Sequence, residues 1–240
     1  MMPGVPEPVV LLHGFTQTAR SWDRVRRFLG PRSDVTAPDL RGHGAASATR
    51  PVGFAEVVQD IAAQAPARFA LCGYSLGGRI ALQFALAHPD RVARLVLVST
   101  TAGIEDPEER QARRAADERL ADQLESEGLE AFAERWAAQP LFAGQPADVV
   151  AEAHADRLRN DAAGLAAALR GLGTGTMPPL WDRLRELPMP TTVLTGECDA
   201  KFLTIGRRLA ATFAHADFAA VPDAGHALPL EAPDTIVSAL

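Results

Sequence analysis

The clearest chemical pattern in this sequence lies at residues 73–77, where Gly-Tyr-Ser-Leu-Gly matches the motif G-x-S-x-G. The apolar run at residues 69–72 is typical of a buried strand, and residues 80–86 have the pattern of a helix. In this strand–turn–helix setting the motif places its serine on a sharp turn above the edge of a sheet. We therefore expect Ser75 to be an exposed nucleophile or base.

Two residues further along the chain complete a set that can activate this serine. Asp199 and His226 each follow a predicted strand, so that the triad order is Ser, Asp, His. A serine hydroxyl is a weak nucleophile or base until an imidazole accepts its proton, and the imidazole needs a carboxylate to fix its tautomer. Glu197 competes for the acid role, and we favour Asp199 because it lies further out along its loop.

Backbone N–H groups beside the serine are the expected oxyanion hole. The Leu76 N–H follows the serine at a helix N-terminus, and Phe15 lies in the turn after the predicted strand at residues 9–12. Two such donors aimed at one point stabilise a developing negative charge. We expect His13 and His43 to brace loops, because the imidazole of the triad is better placed for catalysis.

The elements that position these residues alternate between strand and helix. This alternation predicts an α/β fold with a mostly parallel sheet flanked by helices. The segment before Val9 is too short for additional strands, so we expect about six. The predicted strands lie at residues 9–12, 35–37, 69–72, 94–98, 191–195 and 217–221.

An inserted helical segment interrupts the alternation at residues 103–180, which we interpret as a cap. The core then comprises residues 1–102 and 181–240. A cap of this size is expected over the carboxyl edge of the sheet, where open α/β folds bind ligands. The predicted cap holds eight arginines, no lysine and fifteen acidic residues. Its net charge therefore gives no indication of an anionic substrate.

Bulk properties exclude several classes of function. The net charge of −6 over 240 residues argues against a nucleic-acid surface. No apolar stretch is long enough to span a membrane, and residues 1–8 lack the features of a signal peptide. The cysteines, Cys72 and Cys198, are too few for a disulfide framework, and the histidines are scattered. We expect a cytoplasmic protein with no metal or cofactor, either a monomer or a weak homo-oligomer.

Along its whole length the chain resembles the α/β-hydrolase fold. More narrowly, it resembles the 2-succinyl-6-hydroxy-2,4-cyclohexadiene-1-carboxylate synthases of menaquinone biosynthesis, a family within that superfamily. The Pro-Leu-Phe, Gly-Thr-Gly and Asp-x-Lys-Phe stretches are more selective than the two motifs nearer the N-terminus. The resemblance rests on residues 11–16, 73–79, 136–142, 171–175, 179–181 and 199–202.

This resemblance implies a lyase reaction in place of hydrolysis. The family eliminates pyruvate from a cyclohexene carboxylate that bears enolpyruvyl and succinyl groups, and the product is a cyclohexadiene. The implied role of Ser75, activated by His226 and Asp199, is to remove a carbon-bound proton. The Phe15 and Leu76 N–H groups would hold the carbonyl that gains charge.

The substrate implied by the resemblance carries three carboxylates, which guanidinium groups bind in bidentate fashion. The implied carboxylate ligands are Arg79, Arg113 and Arg159. On the residues alone, Arg113 could instead pair with Glu109, and Arg159 with Asp156. Arg114 competes with its neighbour for the same role.

Two aromatic residues are further candidates for contact with the substrate. Tyr74 precedes the serine and could place its hydroxyl at the site. Trp136 could line the pocket or belong to the core of the cap.

Two other functions are compatible with the same residues. A serine hydrolase such as a carboxylesterase needs the same triad and would act on a small ester or C–C bond. A ligand receptor with an idle triad is also compatible, although no residue needed for catalysis is missing.

Overall fold

Six strands form one sheet in the computed structural model, which describes residues 7–31 and 33–240. The strands are β1 (Val9–Leu12), β2 (Val35–Thr36), β3 (Phe69–Tyr74), β4 (Val92–Val98), β5 (Thr191–Gly196) and β6 (Ala216–Val221). Their order is β2-β1-β3-β4-β5-β6, and every neighbouring pair is parallel. The sequence predicts no signal peptide in residues 1–8. Residues 1–6 of this segment lie outside the described residues.

Helices cover both faces of this sheet, and further helices lie beyond the edge where its strands end. They are α1 (Asp23–Leu29), α2 (Phe54–Gln64), α3 (Leu76–Ala87), α4 (Pro107–Glu127), α5 (Leu129–Ala137), α6 (Ala147–Arg157), α7 (Ala162–Leu172), α8 (Ala200–Thr212), α9 (Leu228–Glu231) and α10 (Pro233–Ala239). Helices α2, α3 and α8 pack on one face, and α1 and α10 on the other. None of the helices in the described ranges is long and apolar enough to cross a bilayer.

The central strands are buried on both faces, as expected for a parallel sheet covered by helices. In β1, Val10 and Leu12 join the core beneath α2 and α3, whereas Val9 and Leu11 join the core beneath α1. All four side chains are buried. Because successive residues of a strand point to opposite faces, one apolar run supplies both cores.

The four helices α4 to α7 form one insertion between β4 and β5. Its two ends are joined, because the Leu180 N–H donates to the Ala102 carbonyl at 2.8 Å and the Trp181 indole donates to the Gly103 carbonyl at 2.9 Å. Helices α4, α5 and α7 share a small apolar core that includes Leu124, Phe132 and Leu165, whereas Val149 and Ala153 of α6 pack with Leu230. The two ends of the insertion therefore leave and rejoin the sheet at one junction.

The α/β fold predicted from the sequence is confirmed, with small differences at element boundaries. Strand β3 continues two residues further than expected, to Tyr74, and α3 begins at Leu76. Strand and helix are thus separated by Ser75 alone. The short helix α9 was not predicted, because its four residues, Leu-Pro-Leu-Glu, are too few to show a helical period.

Candidate active site

Ser75, His226 and Asp199 meet at the carboxyl edge of the sheet. They follow β3, β6 and β5, and parallel strands bring these ends to one edge. The His226 Nδ1 atom lies 2.7 Å from Asp199 Oδ2, and its Nε2 atom lies 3.3 Å from Ser75 Oγ. Glu197, the competing acid, is exposed, whereas Asp199 is buried. The three predicted residues therefore form one hydrogen-bonded chain.

The turn at Ser75 is held in a conformation that few residues adopt. Its φ of 51° and ψ of −107° lie outside the favoured regions for an L-residue. A Cβ atom on Gly73 would collide with the Gly77 carbonyl, so the close approach of strand and helix requires glycine. The Ser75 carbonyl accepts a hydrogen bond from Thr100 Oγ1 at 2.7 Å, and the Ser75 N–H donates to the Val98 carbonyl at 2.9 Å. These contacts fix the serine above the sheet.

A carboxylate that the sequence analysis did not identify holds the loop of His226. Glu231 accepts hydrogen bonds from the N–H groups on both sides of the histidine, Gly225 at 2.5 Å and Ala227 at 3.0 Å. Gln145, from the insertion, donates to the same carboxylate at 2.9 Å. Glu231 therefore clamps the backbone of His226 and links it to the inserted helices.

The loop after β1 carries the Phe15 N–H and is braced by His13. The His13 ring donates from Nδ1 to the Gly14 carbonyl at 2.9 Å and accepts at Nε2 from the Leu40 N–H at 3.0 Å. Burial lowers the pKa of His13, which favours the neutral ring that these two bonds require. The Gly14 carbonyl belongs to the same peptide group as the Phe15 N–H. His13 thereby orients this candidate oxyanion donor.

The second candidate donor, the Leu76 N–H, is the first of helix α3. Such N–H groups have no acceptor within their own helix and point along the axis from its N-terminus. Both Phe15 and Leu76 line the cavity above Ser75. His43 remains within the loops: it is fully buried, and burial lowers its pKa to about 3.

A cavity of about 480 Å³ lies between the inserted helices and the sheet edge, with Ser75 and His226 in its wall. Aromatic rings form much of the remaining wall. Trp136 lies 5.2 Å from Phe15 and 5.6 Å from Phe132, measured between ring centroids. Trp136 thus both lines the cavity and packs against the core of the insertion. The cavity can hold a small molecule that is partly apolar.

Cationic side chains dominate the charge of the cavity wall, although the insertion is acidic overall. The four cations that line it are Arg79, Arg113, Arg135 and Lys201. Asp117 is the acidic group among the described lining residues. Arg79 is only 8% exposed and donates one hydrogen bond, to the Leu172 carbonyl at 2.6 Å. Burial, with the nearby Arg113 guanidinium, lowers the pKa of Arg79 to about 9. The wall therefore favours an anionic ligand.

Of the predicted arginines, Arg79 and Arg113 line the cavity and Arg159 does not. The Arg159 side chain is 56% exposed and lies 4.0 Å from Asp156, which is the alternative pairing considered above. It sits in a turn after α6 that directs it toward solvent. Arg113 pairs with Asp117 at 2.8 Å, on the next turn of α4. Its neighbour Arg114 is exposed outside the cavity.

Tyr74 also lies elsewhere than expected. It is the last residue of β3 and is buried, so its ring packs under the catalytic loops, 5.4 Å from the ring of His226. It is not among the residues that line the cavity. Burial and the nearby carboxylate of Glu231 raise the pKa of its hydroxyl. Tyr74 therefore contacts His226 and not the space above Ser75.

Two lining residues were missed although a sequence signal for them existed. Lys201 and Phe202 belong to the Asp-x-Lys-Phe stretch at residues 199–202, which we used for the resemblance alone. The Phe202 ring lies 4.6 Å from the ring of His226, and Lys201 Nζ lies 5.7 Å from the Phe202 ring. They enter the cavity because α8 starts directly after Asp199.

The arrangement supports base or nucleophilic chemistry on an anionic substrate. Ser75 and His226, the two residues that carry the candidate N–H donors and several cations line one cavity. In the described part of the chain, no three His, Cys, Asp or Glu side chains converge where a metal ion could bind.

Comparison with known proteins identifies relatives of this chain. Residues 9–239 match the model of the alpha/beta hydrolase family. The 2-succinyl-6-hydroxy-2,4-cyclohexadiene-1-carboxylate synthase of Salmonella agona (strain SL483) is 33% identical, covering 99% of this chain and 93% of its own. A Bacillus subtilis (strain 168) protein that provisionally bears the same name is 38% identical, covering 96% of this chain and 88% of its own.

Solved structures give two further similarities. MenH from S. aureus superposes with a TM-score of 0.91 at 30% identity, covering 99% of this chain and 92% of that chain. A thermophilic esterase from Thermogutta terrifontis, solved with malate bound, has a TM-score of 0.83 at 32% identity, covering 98% of this chain and 88% of that chain.

Proposed function

The chain belongs to the alpha/beta hydrolase family, and within it we propose that this protein is a lyase of menaquinone biosynthesis. It eliminates pyruvate from 2-succinyl-5-enolpyruvyl-6-hydroxy-3-cyclohexene-1-carboxylate to give 2-succinyl-6-hydroxy-2,4-cyclohexadiene-1-carboxylate. The observation that carries the proposal is a cationic cavity beside a Ser–His–Asp chain in a protein similar to the synthases along nearly its whole length.

Proton removal by Ser75 begins the proposed reaction. The ring carbon that bears the succinyl group lies next to a ketone and also next to the ring double bond, so loss of its proton gives a carbanion that is conjugated with both. Ser75 Oγ takes this proton as His226 accepts the hydroxyl proton, and Asp199 stabilises the imidazolium. The electron pair moves through the ring double bond and breaks the bond to the enolpyruvyl oxygen. The enolpyruvyl group leaves as the enolate of pyruvate, and transfer of the proton held by His226 to its carbon gives pyruvate and restores the neutral imidazole.

The remaining lining groups stabilise charge in this scheme. The Phe15 and Leu76 N–H groups hold the ketone oxygen as it becomes an enolate. Arg79, Arg113 and Lys201 supply cations for the substrate carboxylates. Arg113 is already paired on one side with Asp117, which leaves the rest of its guanidinium fork for a ligand.

Pyruvate release tests the proposal directly. Purified protein and the enolpyruvyl substrate are mixed, pyruvate is measured with lactate dehydrogenase and NADH, and the cyclohexadiene is followed by its ultraviolet absorbance. We expect one pyruvate for each diene formed, and loss of both signals in Ser75→Ala. No pyruvate above the Ser75→Ala control would refute the lyase.

A serine esterase is the second candidate, favoured by the similarity to the Thermogutta terrifontis esterase and by the same triad geometry. Rapid turnover of p-nitrophenyl esters, with an acyl group trapped on Ser75 and no pyruvate release, would support this function instead.

A cytoplasmic location is proposed on the state of the cysteines. Cys72 is buried and Cys198 exposed, and both are free thiols. Free thiols are typical of a reducing compartment. We further propose a monomer or a weak homo-oligomer.

A further inference from the structure

The loop that carries the Phe15 N–H contains a strained residue. Thr16 has a φ of 68°, in the left-handed region, and is 2% exposed. A β-branched residue is a clear outlier there, and such conformations persist only where the surrounding structure enforces them. His13 holds the loop on the side before Phe15. Thr16 and Thr18, on the side after Phe15, are held by contacts from the insertion.

Asn160, in the turn after α6, binds the strained residue itself. Its Nδ2 group donates to the Thr16 carbonyl at 2.9 Å, and its Oδ1 accepts from the Gly44 N–H at 3.0 Å. The same Nδ2 group also lies 3.0 Å from the Arg157 carbonyl and 3.5 Å from the Asp156 carbonyl. Asn160 is 9% exposed, so these bonds are shielded from water. One side chain thus ties the loop after β1 to the loop after β2.

Asp156, at the end of α6, binds the same loop two residues further on. One carboxylate oxygen accepts from the Thr18 N–H at 2.9 Å, and the other from the Thr18 hydroxyl at 2.5 Å. Burial raises the pKa of this carboxyl, and the two hydrogen bonds oppose that rise. Asn160 and Asp156 of the insertion therefore hold the C-terminal side of the Phe15 loop, together with Asp39 of the core, which accepts from the Ala19 N–H at 2.7 Å.

We propose that Asn160, assisted by Asp156, is a positioning residue that aims the Phe15 N–H into the oxyanion hole. The inference rests on the proposed function in one respect, namely that the Phe15 N–H binds an oxyanion. By this account the inserted helices both close the cavity and set the geometry of the reacting site. Breaking the hydrogen bond between Asn160 and the Thr16 carbonyl should therefore lower kcat without a matching effect on KM.

Asn160→Asp is the decisive variant. The carboxylate has the same size and still accepts from the Gly44 N–H, but it cannot donate to the Thr16 carbonyl and repels it. Loss of one oxyanion donor costs roughly 10²- to 10³-fold in kcat, and a misaimed donor should cost about 10- to 100-fold. We expect that fall in kcat for pyruvate release, with KM within about twofold of wild type. The rate of Ser75 labelling by a fluorophosphonate, whose phosphoryl oxygen occupies the same hole, should fall in parallel.

Asp161→Ala is the matched control. Asp161 caps α7 in the same turn by accepting from the Gly164 N–H at 2.8 Å, so its loss weakens the insertion without touching the Phe15 loop. We expect a lower Tm with unchanged kcat and labelling rate. Equal losses of kcat in Asn160→Asp and Asp161→Ala would overturn the proposal, as would a folded Asn160→Asp variant with wild-type labelling.

Asp156 provides a second test if Asn160→Asp does not fold. Asp156→Ala should slow fluorophosphonate labelling, and Asp156→Asn should restore most of it, because an amide can accept from the Thr18 N–H and donate to the Thr18 hydroxyl. Equal labelling by the two variants would overturn the proposal. Fluorophosphonate labelling does not require the lyase substrate. If wild type labels readily and releases no pyruvate, the proposed function fails while the positioning inference is still tested.

Discussion

Replacing Arg79 with methionine is expected to stabilise the fold while weakening substrate binding. The guanidinium is buried in the cavity wall with a single described hydrogen bond, to the Leu172 carbonyl. Arg113 lies close enough to oppose its charge, and Asp117 to favour it. Asp117 keeps its pairing with Arg113 at 2.8 Å in the variant, so no carboxylate is left without a cation.

The stability gain follows from the cost of burying this charge. Burial lowers the pKa of Arg79 well below its ordinary value, to about 9, and at about 1.4 kcal/mol per pKa unit this corresponds to roughly 5 kcal/mol. Relaxation around buried ions reduces such values, and replacing them with apolar groups stabilises proteins by about 1–4 kcal/mol. After the loss of the Leu172 hydrogen bond, at about 1 kcal/mol, we expect a gain of up to about 3 kcal/mol.

The sign of the pH dependence follows from the same shift. Below about pH 9 the guanidinium is charged in both the folded and the unfolded chain, and the folded state bears the full cost. As the pH rises through about 9 the folded state can release the proton, while the guanidinium in the unfolded state keeps its higher, ordinary pKa and stays charged. The difference in unfolding free energy between wild type and Arg79→Met should be constant at neutral pH and shrink above pH 9.

Substrate binding should change in the opposite direction. Hydrogen bonds to a charged group contribute about 1.5–3 kcal/mol, so loss of the Arg79–carboxylate contact raises KM about 10- to 150-fold. Urea unfolding gives the stability difference, and the pyruvate assay gives KM. Succinate should raise the Tm of wild type and leave that of the variant unchanged.

Arg183→Met is the control for this experiment. Arg183 forms an exposed pair with Glu186 at 2.8 Å, so both stability and KM should stay close to wild type. A variant at Arg79 that is less stable than wild type, or that keeps the wild-type KM, would refute the reasoning that this charge is held in the cavity for its ligand.

Two further predictions concern the hydrogen bonds of His226. Asp199→Asn should lower kcat for pyruvate release about 10⁴-fold, because the amide donates to Nδ1 and leaves the proton on the nitrogen that faces Ser75. A loss of less than tenfold in a folded variant would contradict a triad role for Asp199. Glu231→Gln should lower kcat about tenfold with KM unchanged, because the amide can accept only one of the two N–H groups beside the histidine. Separate measurement of kcat and KM tests this, and an equal rise in KM would argue against a clamp on the histidine.

Much of the fold could be predicted from local sequence pattern. A strand that is buried on both faces of a parallel sheet is apolar at consecutive positions, and residues 9–12 form such a run. The motif at Ser75 was readable because a sharp strand-to-helix turn needs glycine beside the serine. The predicted strand ends at 195 and 221 placed Asp199 and His226 near the same edge, since parallel strands end together.

Side-chain direction outside the sheet was less predictable. Arg113 and Arg159 both lie in arginine-rich helical sequence, but Arg113 faces the cavity and Arg159 faces solvent. The difference depends on where α6 ends and how α4 packs on α7. Neither can be predicted from the spacing of apolar residues along one helix. The same holds for the charge of the cavity, because an acidic insertion can turn its cations inward.

The sequence by itself determined the strand order along the chain, the serine turn and the residue types of the triad, because each depends on neighbours within a few positions. Tertiary structure alone decided which cations face the cavity and which side chains hold the reacting groups in place. Asn160 meets Thr16 across 144 positions, and Glu231 meets Gln145 across 86. Such contacts exist only once packing has brought distant segments together, since hydrogen bonds depend on distances in space.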